Sequence, residues 1–487
     1  MLFFLWFVAA VTHTAAVRIA VIGNGIGGTS AAYFLKRQLG TEAEIFLFDK
    51  SSRIGGRLVV ENVGGKSYEA GGSVIHPRNK LVAHFRETFG LKKRETQSCD
   101  LGIFNGSKFT FQGSSWSFIL WIQMLWRYGY DLFRVSSLIN KMLDKFSRIY
   151  DLHDEGYAFT SVDKLLFAMS PKFPSLINSS LRDYLLAEDV SLRFINEIAE
   201  GAMRVNYGQS ASGVHAFVGS VSLAGLDGGL YSIRGGNYLI TEALLRHSKA
   251  ATYKCDVKAI SQRAADKNVD IICGEAQQGR KYENFDYVVL AAPLIKDMSE
   301  IAFDHFPPGS VYDLRGRYQQ TVATFVQGAV ANEAFQLETP IPCQVLTTNS
   351  SLFYSSIAQQ LPVDWTKKEG SPSREKTVWK VFSPLKLSNS ELNYLFSSVH
   401  AVKELPWQAY PRYSKSGHFE NLPFELAPKV FYLNAVEWAA SAMEMSAISA
   451  RNIALLIRHR VKGDATAKGR IDPPSILNPP TADHTEL

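Results

Sequence analysis

The sequence predicts an α/β fold with a parallel sheet, and three stretches near its beginning carry that prediction. The run VRIAVIG, from Val17, is continuously apolar, as in a parallel strand that is buried on both faces. GTSAAYFLKRQL has the spacing and composition of a helix, and AEIFLFDK then supplies a second strand that ends in Asp49. This order of strand, glycine turn, helix and strand is typical of a Rossmann-type dinucleotide-binding domain.

Each glycine of the turn has its own task in such a domain. Gly23 allows the tight turn, Gly25 lets the backbone approach a pyrophosphate, and Gly28 permits close packing of the helix on the strand. The helix N-terminus faces the phosphates, and the carboxylate of Asp49 can accept hydrogen bonds from the ribose. The cofactor-binding residues predicted at this end of the domain are Gly23, Gly25, Ile26, Gly28, Asp49 and Lys50.

Composition bounds the class of protein. The chain has 487 residues, of which 46% are hydrophobic and 20% are charged, and this length suits two globular domains. The net charge of +6 is spread along the chain without a long basic run, so nucleic acid is not predicted as a partner. The four cysteines form no CxxC pair, so no metal site is indicated, and one or two disulfides remain open.

The first residues predict a secretory address. MLFFLWFVAAVTHTAA, residues 1–16, has an apolar run followed by small residues, which is typical of a cleaved signal peptide; a short buried strand is the alternative. Asn105, Asn178 and Asn349 each open an N-x-[ST] glycosylation sequon. We therefore expect a glycoprotein of the secretory pathway or the lysosome, or one that is secreted.

A second apolar segment, SSWSFILWIQMLWRYGYDLF from Ser114, has helical spacing and an unusually aromatic face. Gln123, Arg127 and Asp131 interrupt it too early for a membrane span, which needs about 20 apolar residues. Three interpretations stay open. The segment is part of the core, the wall of an apolar substrate tunnel, or a face that lies on a membrane or lipoprotein surface.

Nicotinamide and flavin cofactors share the Rossmann-type unit, so a further motif has to distinguish them. KSSRIGGRL, directly after the second strand, contains Gly56 for a close backbone pass and Arg57 for a phosphate oxygen. This stretch resembles the extended signature of the FAD-binding amine-oxidase-like flavoproteins, in which a later glycine-rich turn lies near the isoalloxazine. YEAGGSVIHP supplies that turn here as Gly71, Gly72 and Ser73.

The remainder of the chain is similar to the same flavoproteins. SIRGGNYLITEALL and CDVKAIS look like the helix and strand that place Val257 near the adenine, and FDYVVLAAP looks like a strand that returns to the nucleotide domain. VFYLNAVEWAASAMEMSAISARNIALLI looks like a strand, a turn and a long helix whose N-terminus points at the flavin. From this motif the resemblance assigns to the cofactor Glu437, Ala442, Met443 and Glu444. No cysteine lies near Trp438, so the FAD is expected to be non-covalent.

Several strings are more specific than the FAD pattern: GIGGTSAAYFL, YEAGGSVIHP, MRVNYGQS, GGLYSIRGGN, VWKVFSP and YLNAVEWAASAMEMSAISARN. Together they closely resemble the prenylcysteine oxidase family, also called prenylcysteine lyases. The resemblance implies an FAD-dependent thioether oxidase that converts farnesyl- or geranylgeranylcysteine, O₂ and water into cysteine, an isoprenoid aldehyde and hydrogen peroxide. Two alternatives stay open: a secreted FAD-binding paralogue with little catalysis, and an amine oxidase of the same superfamily.

In this family the flavin carries the oxidation, so no catalytic side chain is assigned and the protein has to supply a pocket. The candidate substrate residues are His76, Trp121, Arg204, Tyr207 and Gln209. Arg204 is the first choice for the substrate carboxylate, and an ion pair with Glu197 or Glu200, at helical spacing, is the alternative. The tunnel candidates are residues 116–133 and DKLLFAMSPKFPSL.

The motifs divide the chain into two discontinuous domains. Residues 17–75, 225–300 and 425–460 are assigned to the FAD-binding domain. Residues 76–224 and 301–424 are assigned to an inserted mixed α/β substrate domain, and residues 461–487 to a C-terminal tail.

Overall fold

The computed structural model describes residues 16–274, 279–295, 298–314, 316–370, 372–414, 422–463 and 469–477. The predicted signal peptide, apart from its last residue, and much of the predicted tail lie outside the described residues. Within the described part, no helix is both long enough and apolar enough to cross a membrane.

The strands of the described residues form four sheets. In chain order they are β1 (Val17–Ile22), β2 (Ala43–Asp49), β3 (Val60–Val63), β4 (Lys66–Glu69), β5 (Leu101–Phe104), β6 (Phe109–Gln112), β7 (Ala251–Lys254), β8 (Val257–Gln262), β9 (Val269–Cys273), β10 (Arg280–Phe285), β11 (Tyr287–Leu290), β12 (Ala302–Asp304), β13 (Tyr318–Val330), β14 (Gln344–Thr347), β15 (Ser356–Gln360), β16 (Val378–Ser383), β17 (Phe396–Pro411), β18 (Glu425–Ala427) and β19 (Val430–Tyr432).

The helices concentrate in the first half of the chain and at its C-terminal end. They are α1 (Ile26–Leu39), α2 (Lys80–Thr88), α3 (Ser117–Tyr128), α4 (Asp131–Asp154), α5 (Val162–Met169), α6 (Phe173–Ile177), α7 (Leu181–Ala187), α8 (Leu192–Phe194), α9 (Glu200–Tyr207), α10 (Ala216–Leu223), α11 (Tyr238–Ser248), α12 (Asn389–Leu395), α13 (Met443–Lys462) and α14 (Pro474–Leu477).

The first sheet has six strands in the order β18-β19-β11-β1-β2-β7. β1 lies between β2 and β11 and pairs with both in parallel, while β18 pairs with β19 in antiparallel orientation. Ile19 to Ile22 are buried, as expected for a strand covered on both faces, and α1 packs on the sheet against α11 and α13. The predicted α/β fold is confirmed. The strands of this sheet come from the three chain segments assigned to the FAD-binding domain.

The second large sheet has seven strands in the order β17-β13-β16-β15-β14-β5-β6. Its neighbouring strands are antiparallel except β14 and β5, which are parallel. The β3–β4 hairpin packs on this sheet, where the rings of Tyr68 and Phe325 lie 6.5 Å apart. The glycine-rich turn that follows β4 is therefore held beside the second sheet.

A smaller sheet, in the order β10-β9-β8-β12, extends past a predicted domain boundary. β12 comprises Ala302–Asp304 and pairs in parallel with β8, whereas the FAD-binding segment was expected to end at residue 300. The composition of the chain does not change at this point, so the boundary depends on a strand pairing that sequence patterns do not reveal.

Both pairs of cysteines form disulfides. Cys99–Cys343 joins the segment before β5 to the segment before β14, across 244 residues. Cys255–Cys273 joins the start of β8 to the end of β9, across 18 residues. These bonds account for all four cysteines of the chain, a pairing that the sequence left open.

The N-terminus of α13 is positioned by the buried carboxylate of Glu444. This carboxylate accepts hydrogen bonds from the backbone N–H groups of Leu81 and Val82, at 2.8 and 3.0 Å, and from the Tyr150 hydroxyl at 2.7 Å. Burial raises the pKa of Glu444 above its usual range. The three bonds tie α13 to the first turn of α2 and to α4.

Replacing Glu444 tests how much its three hydrogen bonds contribute to the free energy of unfolding. Glu444→Ala leaves two buried N–H groups and one hydroxyl without partners, so we expect the free energy of unfolding to fall by about 3 kcal/mol. Tyr150→Phe removes one bond only and should cost about 1.5 kcal/mol. Urea denaturation at saturating cofactor measures both, and a Glu444→Ala loss no larger than that of Tyr150→Phe would contradict the assignment.

Candidate active site

The glycine turn between β1 and α1 is a place of close backbone contact. Gly23 has a φ of +112°, and a Cβ added there would lie 2.7 Å from the carbonyl oxygen of Ala291. A Cβ at Gly28 would lie 1.8 Å from the carbonyl oxygen of Gly23, which no side chain tolerates. Both positions therefore require glycine for the turn itself, whatever the turn binds.

Gly25 differs from Gly23 and Gly28 because no atom lies close to the position that a Cβ would occupy. A Cβ added at Gly25 would meet nothing closer than the backbone of Gly55 and Gly56, at 3.8 Å. The second glycine motif approaches here, since the Gly55 N–H donates to the Asn24 carbonyl oxygen at 3.2 Å. The first turn of α1, from Ile26, opens onto the same space with no side-chain cap on its N–H groups. This open cradle fits a pyrophosphate.

Asp49 lies at the end of β2, one strand away from the turn. Its two carboxylate oxygens accept the backbone N–H groups of Asn24 and Ser51, at 2.8 and 2.7 Å, and a carboxylate can accept further hydrogen bonds. A cavity of about 140 Å³ adjoins it, and its lining includes Gly23, Asp49, Lys50, Cys255 and Val257. The residues predicted for the ribose and the adenine thus line one cavity, which fits the adenosine half of a dinucleotide.

Arg57 reaches from the second glycine motif to the start of the C-terminal segment. Its guanidinium forms an ion pair with Glu437 and donates to the Ala409 carbonyl oxygen at 2.6 Å. Glu437 is buried and also accepts from the Asn434 amide at 2.7 Å and the Tyr318 hydroxyl at 2.8 Å. Burial alone would lower the pKa of Arg57, but the Glu437 carboxylate holds it above its usual range.

The carboxylates of Glu437 and Glu444 are both engaged with protein donors. The resemblance assigns both residues to the cofactor. In the structure, the Glu437 side chain positions Arg57, and the Glu444 side chain fixes α2 and α4. Any contact of Glu444 with the cofactor is therefore expected through its backbone atoms. These atoms lie in the first turn of α13, beside Ala442 and Met443.

The turn predicted to lie near the isoalloxazine is close to the N-terminus of α13. The Gly72 N–H donates to the Arg57 carbonyl oxygen at 3.2 Å, and a Cβ at Gly71 would lie 1.7 Å from that oxygen. A Cβ at Gly72 would lie 3.9 Å from the Met443 side chain, and the half-buried Ser73 follows. The structure thus brings together the two motifs that the resemblance places at the flavin ring.

Behind this turn lies a buried polar group that the site prediction missed. The Asn237 N–H donates to Glu69 at 2.6 Å, and the Asn237 amide donates to the Gly72 carbonyl oxygen at 2.8 Å. Lys380 donates to the Glu69 carbonyl oxygen at 3.3 Å. Burial raises the pKa of Glu69 to about 7 and lowers that of Lys380 to about 8. The strings YEAGGSVIHP, GGLYSIRGGN and VWKVFSP contain these three residues.

Two of the substrate candidates, Tyr207 and Gln209, lie near the loop that precedes α13. The Tyr207 hydroxyl donates to the Ser441 carbonyl oxygen at 3.4 Å, and its ring lies 5.1 Å from that of Tyr410 and 5.4 Å from that of Tyr413. Gln209 donates to the Pro411 carbonyl oxygen at 3.1 Å and accepts the Tyr413 N–H at 2.9 Å. Gln209 thus fixes the end of β17, and Tyr207 faces an aromatic cluster.

The same loop contacts a histidine that was not among the candidates. His215 Nε2 lies 3.1 Å from the Trp438 carbonyl oxygen, and its Nδ1 accepts the Val218 N–H at 3.2 Å. Burial lowers the pKa of His215 to about 4, so the ring is neutral and Nε2 carries the hydrogen. A lone histidine among small residues gave no signal in the sequence.

Arg204 is buried and bonded within the protein. Its Nε donates to the Thr347 hydroxyl at 3.0 Å, and its Nη2 donates to the Tyr354 carbonyl oxygen at 3.1 Å. An ion pair with Glu197 is excluded, because Glu197 pairs with Arg127 at 2.7 Å. Burial lowers the pKa of Arg204, and the nearby Glu200 carboxylate acts in the opposite direction, so the alternative stays open for Glu200. The observed bonds favour a role for Arg204 in joining α9 to β14, and binding of a substrate carboxylate stays a prediction.

The remaining candidates are His76 and Trp121. His76 accepts the Arg78 N–H on its Nδ1 at 3.1 Å, just before α2. Trp121 is 49% exposed on the outer side of α3, and its role as a substrate residue stays a prediction. Most aromatic rings of residues 116–133 face outward, although Tyr128 is buried in the core, and a tunnel wall in this segment stays a prediction. The other tunnel candidate packs in the core, through Leu165, Leu166 and neighbouring residues.

The difference between Gly25 and Gly28 gives a matched test of the cradle. Gly28→Ala forces a methyl group into the Gly23 carbonyl oxygen and should reduce soluble, folded protein severely. Gly25→Ala has room for its methyl group, so stability should stay within about 1 kcal/mol while FAD affinity falls at least about tenfold. Flavin fluorescence titration and thermal melts measure both quantities, and unchanged affinity in Gly25→Ala would remove the pyrophosphate from this cradle.

Arg57 requires a double substitution, because its loss also leaves Glu437 buried and unpaired. Arg57→Ala should lower both the melting temperature and the flavin content, by about 3 kcal/mol in stability. Arg57→Ala/Glu437→Gln removes the orphaned charge, so stability should recover while flavin content stays low. Recovery of the flavin content in the double variant would show that Arg57 acts only through its ion pair.

Comparison with known proteins places this geometry in a family. The sequence model described as prenylcysteine lyase matches residues 111–469, and that of the NAD(P)-binding Rossmann-like domain matches residues 21–88. Prenylcysteine oxidase 1 of Homo sapiens is 40% identical over 461 residues, which cover 92% of this chain and 90% of the human protein. Prenylcysteine oxidase 1-like of Mus musculus is 34% identical over 453 residues, which cover 91% of this chain and 90% of the mouse protein.

Solved structures of two amine oxidases share the fold. Cyclohexylamine oxidase from Brevibacterium oxydans IH-35A superposes with a TM-score of 0.60 at 15% identity, over 92% of this chain and 100% of that one. Wild-type putrescine oxidase bound to putrescine gives 0.58 at 14% identity, over 91% and 99%. These distant structures establish the fold alone, whereas the matches along most of the sequence establish the family: the chain belongs to the prenylcysteine lyase family.

Proposed function

We propose that this protein is an FAD-dependent thioether oxidase that cleaves prenylcysteine. Prenylcysteine, O₂ and water give free cysteine, the isoprenoid aldehyde and hydrogen peroxide. The observation that carries the proposal is the meeting of the Gly71–Gly72 turn with the N-terminus of α13, in a chain that is related over most of its length to prenylcysteine oxidases. Association with lipoprotein particles is not part of this proposal and stays a prediction.

The proposed reaction does not require a strongly basic side chain. The FAD that the glycine motifs would hold would supply the oxidation: a hydride would leave the carbon next to sulfur, and two electrons and two protons would convert O₂ into hydrogen peroxide. The sulfur and the allylic double bond share the positive charge that develops on this carbon, so no strong base is needed. Water then adds to the oxidised carbon, and the resulting hemithioacetal releases cysteine as the thiol and the isoprenoid chain as the aldehyde.

The residues beside the loop at positions 438–441 suit an apolar substrate. Burial raises the pKa values of Tyr207 and Tyr413 above their usual range, and it lowers that of His215, so these side chains are uncharged at neutral pH. The Tyr413 hydroxyl donates to the Glu437 carbonyl oxygen at 3.0 Å and accepts the Ser441 N–H at 2.9 Å. A rigid, neutral aromatic wall next to α13 can exclude bulk water and orient a prenyl chain.

The proposal extends to the compartment. Two disulfides favour folding in an oxidising environment, such as the secretory pathway, and agree with the signal peptide expected at residues 1–16. Asn178 is exposed and Asn105 and Asn349 are half-buried, all three outside regular helices and strands, and the Oδ1 atoms of Asn105 and Asn349 accept backbone N–H groups two residues on. We assign the protein to the lysosome or to secretion, with glycans at these three positions.

FAD is proposed to be held without a covalent bond. The motivation is that all four cysteines are consumed in disulfides, so none is available to the flavin ring. Acid precipitation of the purified protein should leave the yellow flavin in the supernatant. A flavin absorbance that remains with the pellet after repeated washing would rule out the non-covalent assignment.

Turnover separates the proposed function from its alternatives. Purified holoenzyme should release hydrogen peroxide and an isoprenoid aldehyde from farnesylcysteine, and neither from an amine panel or buffer alone. Peroxide from amines only would establish an amine oxidase, and flavin without turnover on any substrate would establish a low-activity paralogue. Comparison of farnesylcysteine with its methyl ester measures how strongly the free carboxylate is recognised.

A further inference from the structure

The outer side of α3 and the start of α4 expose an unusual number of large apolar side chains. Trp126 is 92% exposed, Trp116 is 74% exposed and Phe118 is 72% exposed. The full set, called the aromatic face below, comprises Trp116, Phe118, Ile119, Trp121, Ile122, Trp126, Tyr130 and Phe133. From Ser114 to Trp126 the chain contains no charged residue. Single exposed apolar residues are ordinary, but a contiguous group marks an interaction surface.

The aromatic face is continuous across the two helices. The rings of Trp121 on α3 and Phe133 on α4 pack edge to face at 6.4 Å, and Tyr130 lies 6.1 Å from Phe133. Leu186 and Leu192, also exposed, flank this surface at the ends of α7 and α8.

The helix behind this face is firmly held. Arg127 donates twice to Glu197, at 2.7 Å each, and the Tyr128 hydroxyl donates to the same carboxylate at 2.8 Å. Leu120 and Met124 pack against the core from the inner side of α3. The outward direction of the aromatic rings is therefore fixed by contacts on the opposite side of the helix.

The composition of this surface fits the interface of a lipid bilayer. Tryptophan and tyrosine prefer the level of the lipid headgroups, where a ring can be buried while its polar atom stays hydrated. α3 has 12 residues, too few to cross a bilayer, which needs about 20. A short apolar helix that is anchored on one side can lie in the plane of the interface.

Charge on the neighbouring helix favours an anionic bilayer. Lys141, Lys145 and Arg148 are exposed along α4, beyond the aromatic face, and Asp144 is the one acidic residue between Val135 and Arg148. Asp144 is neutralised by Arg78, at 2.5 Å. The exposed acids Glu188 and Asp189 lie on the other flank, where Arg134 donates to the Asp189 carbonyl oxygen.

From these observations we propose that the aromatic face docks on the surface of an anionic phospholipid bilayer. The rings of α3 and α4 enter the headgroup region, and the basic side of α4 lies against the lipid charges. Given the proposed function, this would hold the enzyme where a prenylcysteine with an apolar tail accumulates. The evidence for docking comes from the exposed residues of α3 and α4 and does not depend on the proposed function.

Vesicle sedimentation tests the docking. Wild-type holoenzyme should bind vesicles of phosphatidylcholine mixed with phosphatidylserine more tightly than vesicles of phosphatidylcholine alone. Phe118→Ser/Trp126→Ser should weaken binding to the mixed vesicles by at least about tenfold, since two large rings no longer enter the interface. The matched control, Leu385→Ser/Val402→Ser, removes exposed apolar side chains from β17 and the segment after β16 and should bind like the wild type.

Two further readings complete the experiment. Brominated lipids should quench the tryptophan fluorescence of the wild type and much less that of Phe118→Ser/Trp126→Ser. Light scattering without vesicles should show no change of oligomeric state between these two proteins, whereas a dimer lost in the variant would assign the face to a second copy and overturn the proposal. Absence of wild-type binding, equal binding to both vesicle types, or equal loss in both double variants would also overturn it.

Peroxide release from dissolved farnesylcysteine is measured on the same samples, so that the two proposals can fail separately. Lost vesicle binding with unchanged turnover is the expected result for Phe118→Ser/Trp126→Ser. Intact vesicle binding by a wild type without turnover would remove the proposed function and leave the docking in place.

Discussion

The ion pair between half-buried Arg57 and buried Glu437 joins parts of the chain that are far apart in sequence. Arg57 follows the second glycine motif, Glu437 precedes α13, and the guanidinium also donates to Ala409 on β17. Because Tyr318 of β13 donates to the same carboxylate, the seven-stranded sheet is tied to the nucleotide-binding sheet at this point. An unpaired charge at such depth costs several kcal/mol, so these segments have to be in place together for the fold to be stable.

The sequence was sufficient to predict the nucleotide-binding part because its constraints are local. Gly23 and Gly28 lie where any Cβ would meet a backbone oxygen, and that steric limit acts within a few residues of the turn. The strand β1 is buried on both faces, so its apolar run is unambiguous. Asp49 and Val257 line one cavity because Asp49 at the end of β2 pairs with Lys254 at the end of β7, and Val257 begins β8 only three residues later.

The substrate side was predicted less well because its geometry depends on distant contacts. Arg204 has a carboxylate one helical turn away, yet its donors go to Thr347 and Tyr354, more than a hundred residues later in the chain. An apolar helical pattern has the same period whether its face meets the core, a tunnel or lipid, so the direction of Trp121 could not be inferred from spacing. His215 and Tyr413 lie beside the site because they contact each other and bond backbone carbonyl groups before α13, and these contacts join segments far apart in sequence.

The buried carboxyl group of Glu69 links the folded state to the proton concentration of its surroundings. Its pKa is about 7 in the folded chain, against 4.5 for a free side chain, and its Oε2 has no hydrogen-bond partner among the described residues. Between these two values the folded chain holds a proton that the unfolded chain has released, so this group's stabilisation is complete below pH 4.5 and is lost as the pH rises through 7. Lys380, with a pKa lowered to about 8, adds no slope in that interval, because it titrates at higher pH. Acidification from neutral pH therefore stabilises the folded chain through Glu69, which bonds Asn237 behind the Gly71–Gly72 turn, and a mildly acidic solution favours the folded state more than a neutral one does.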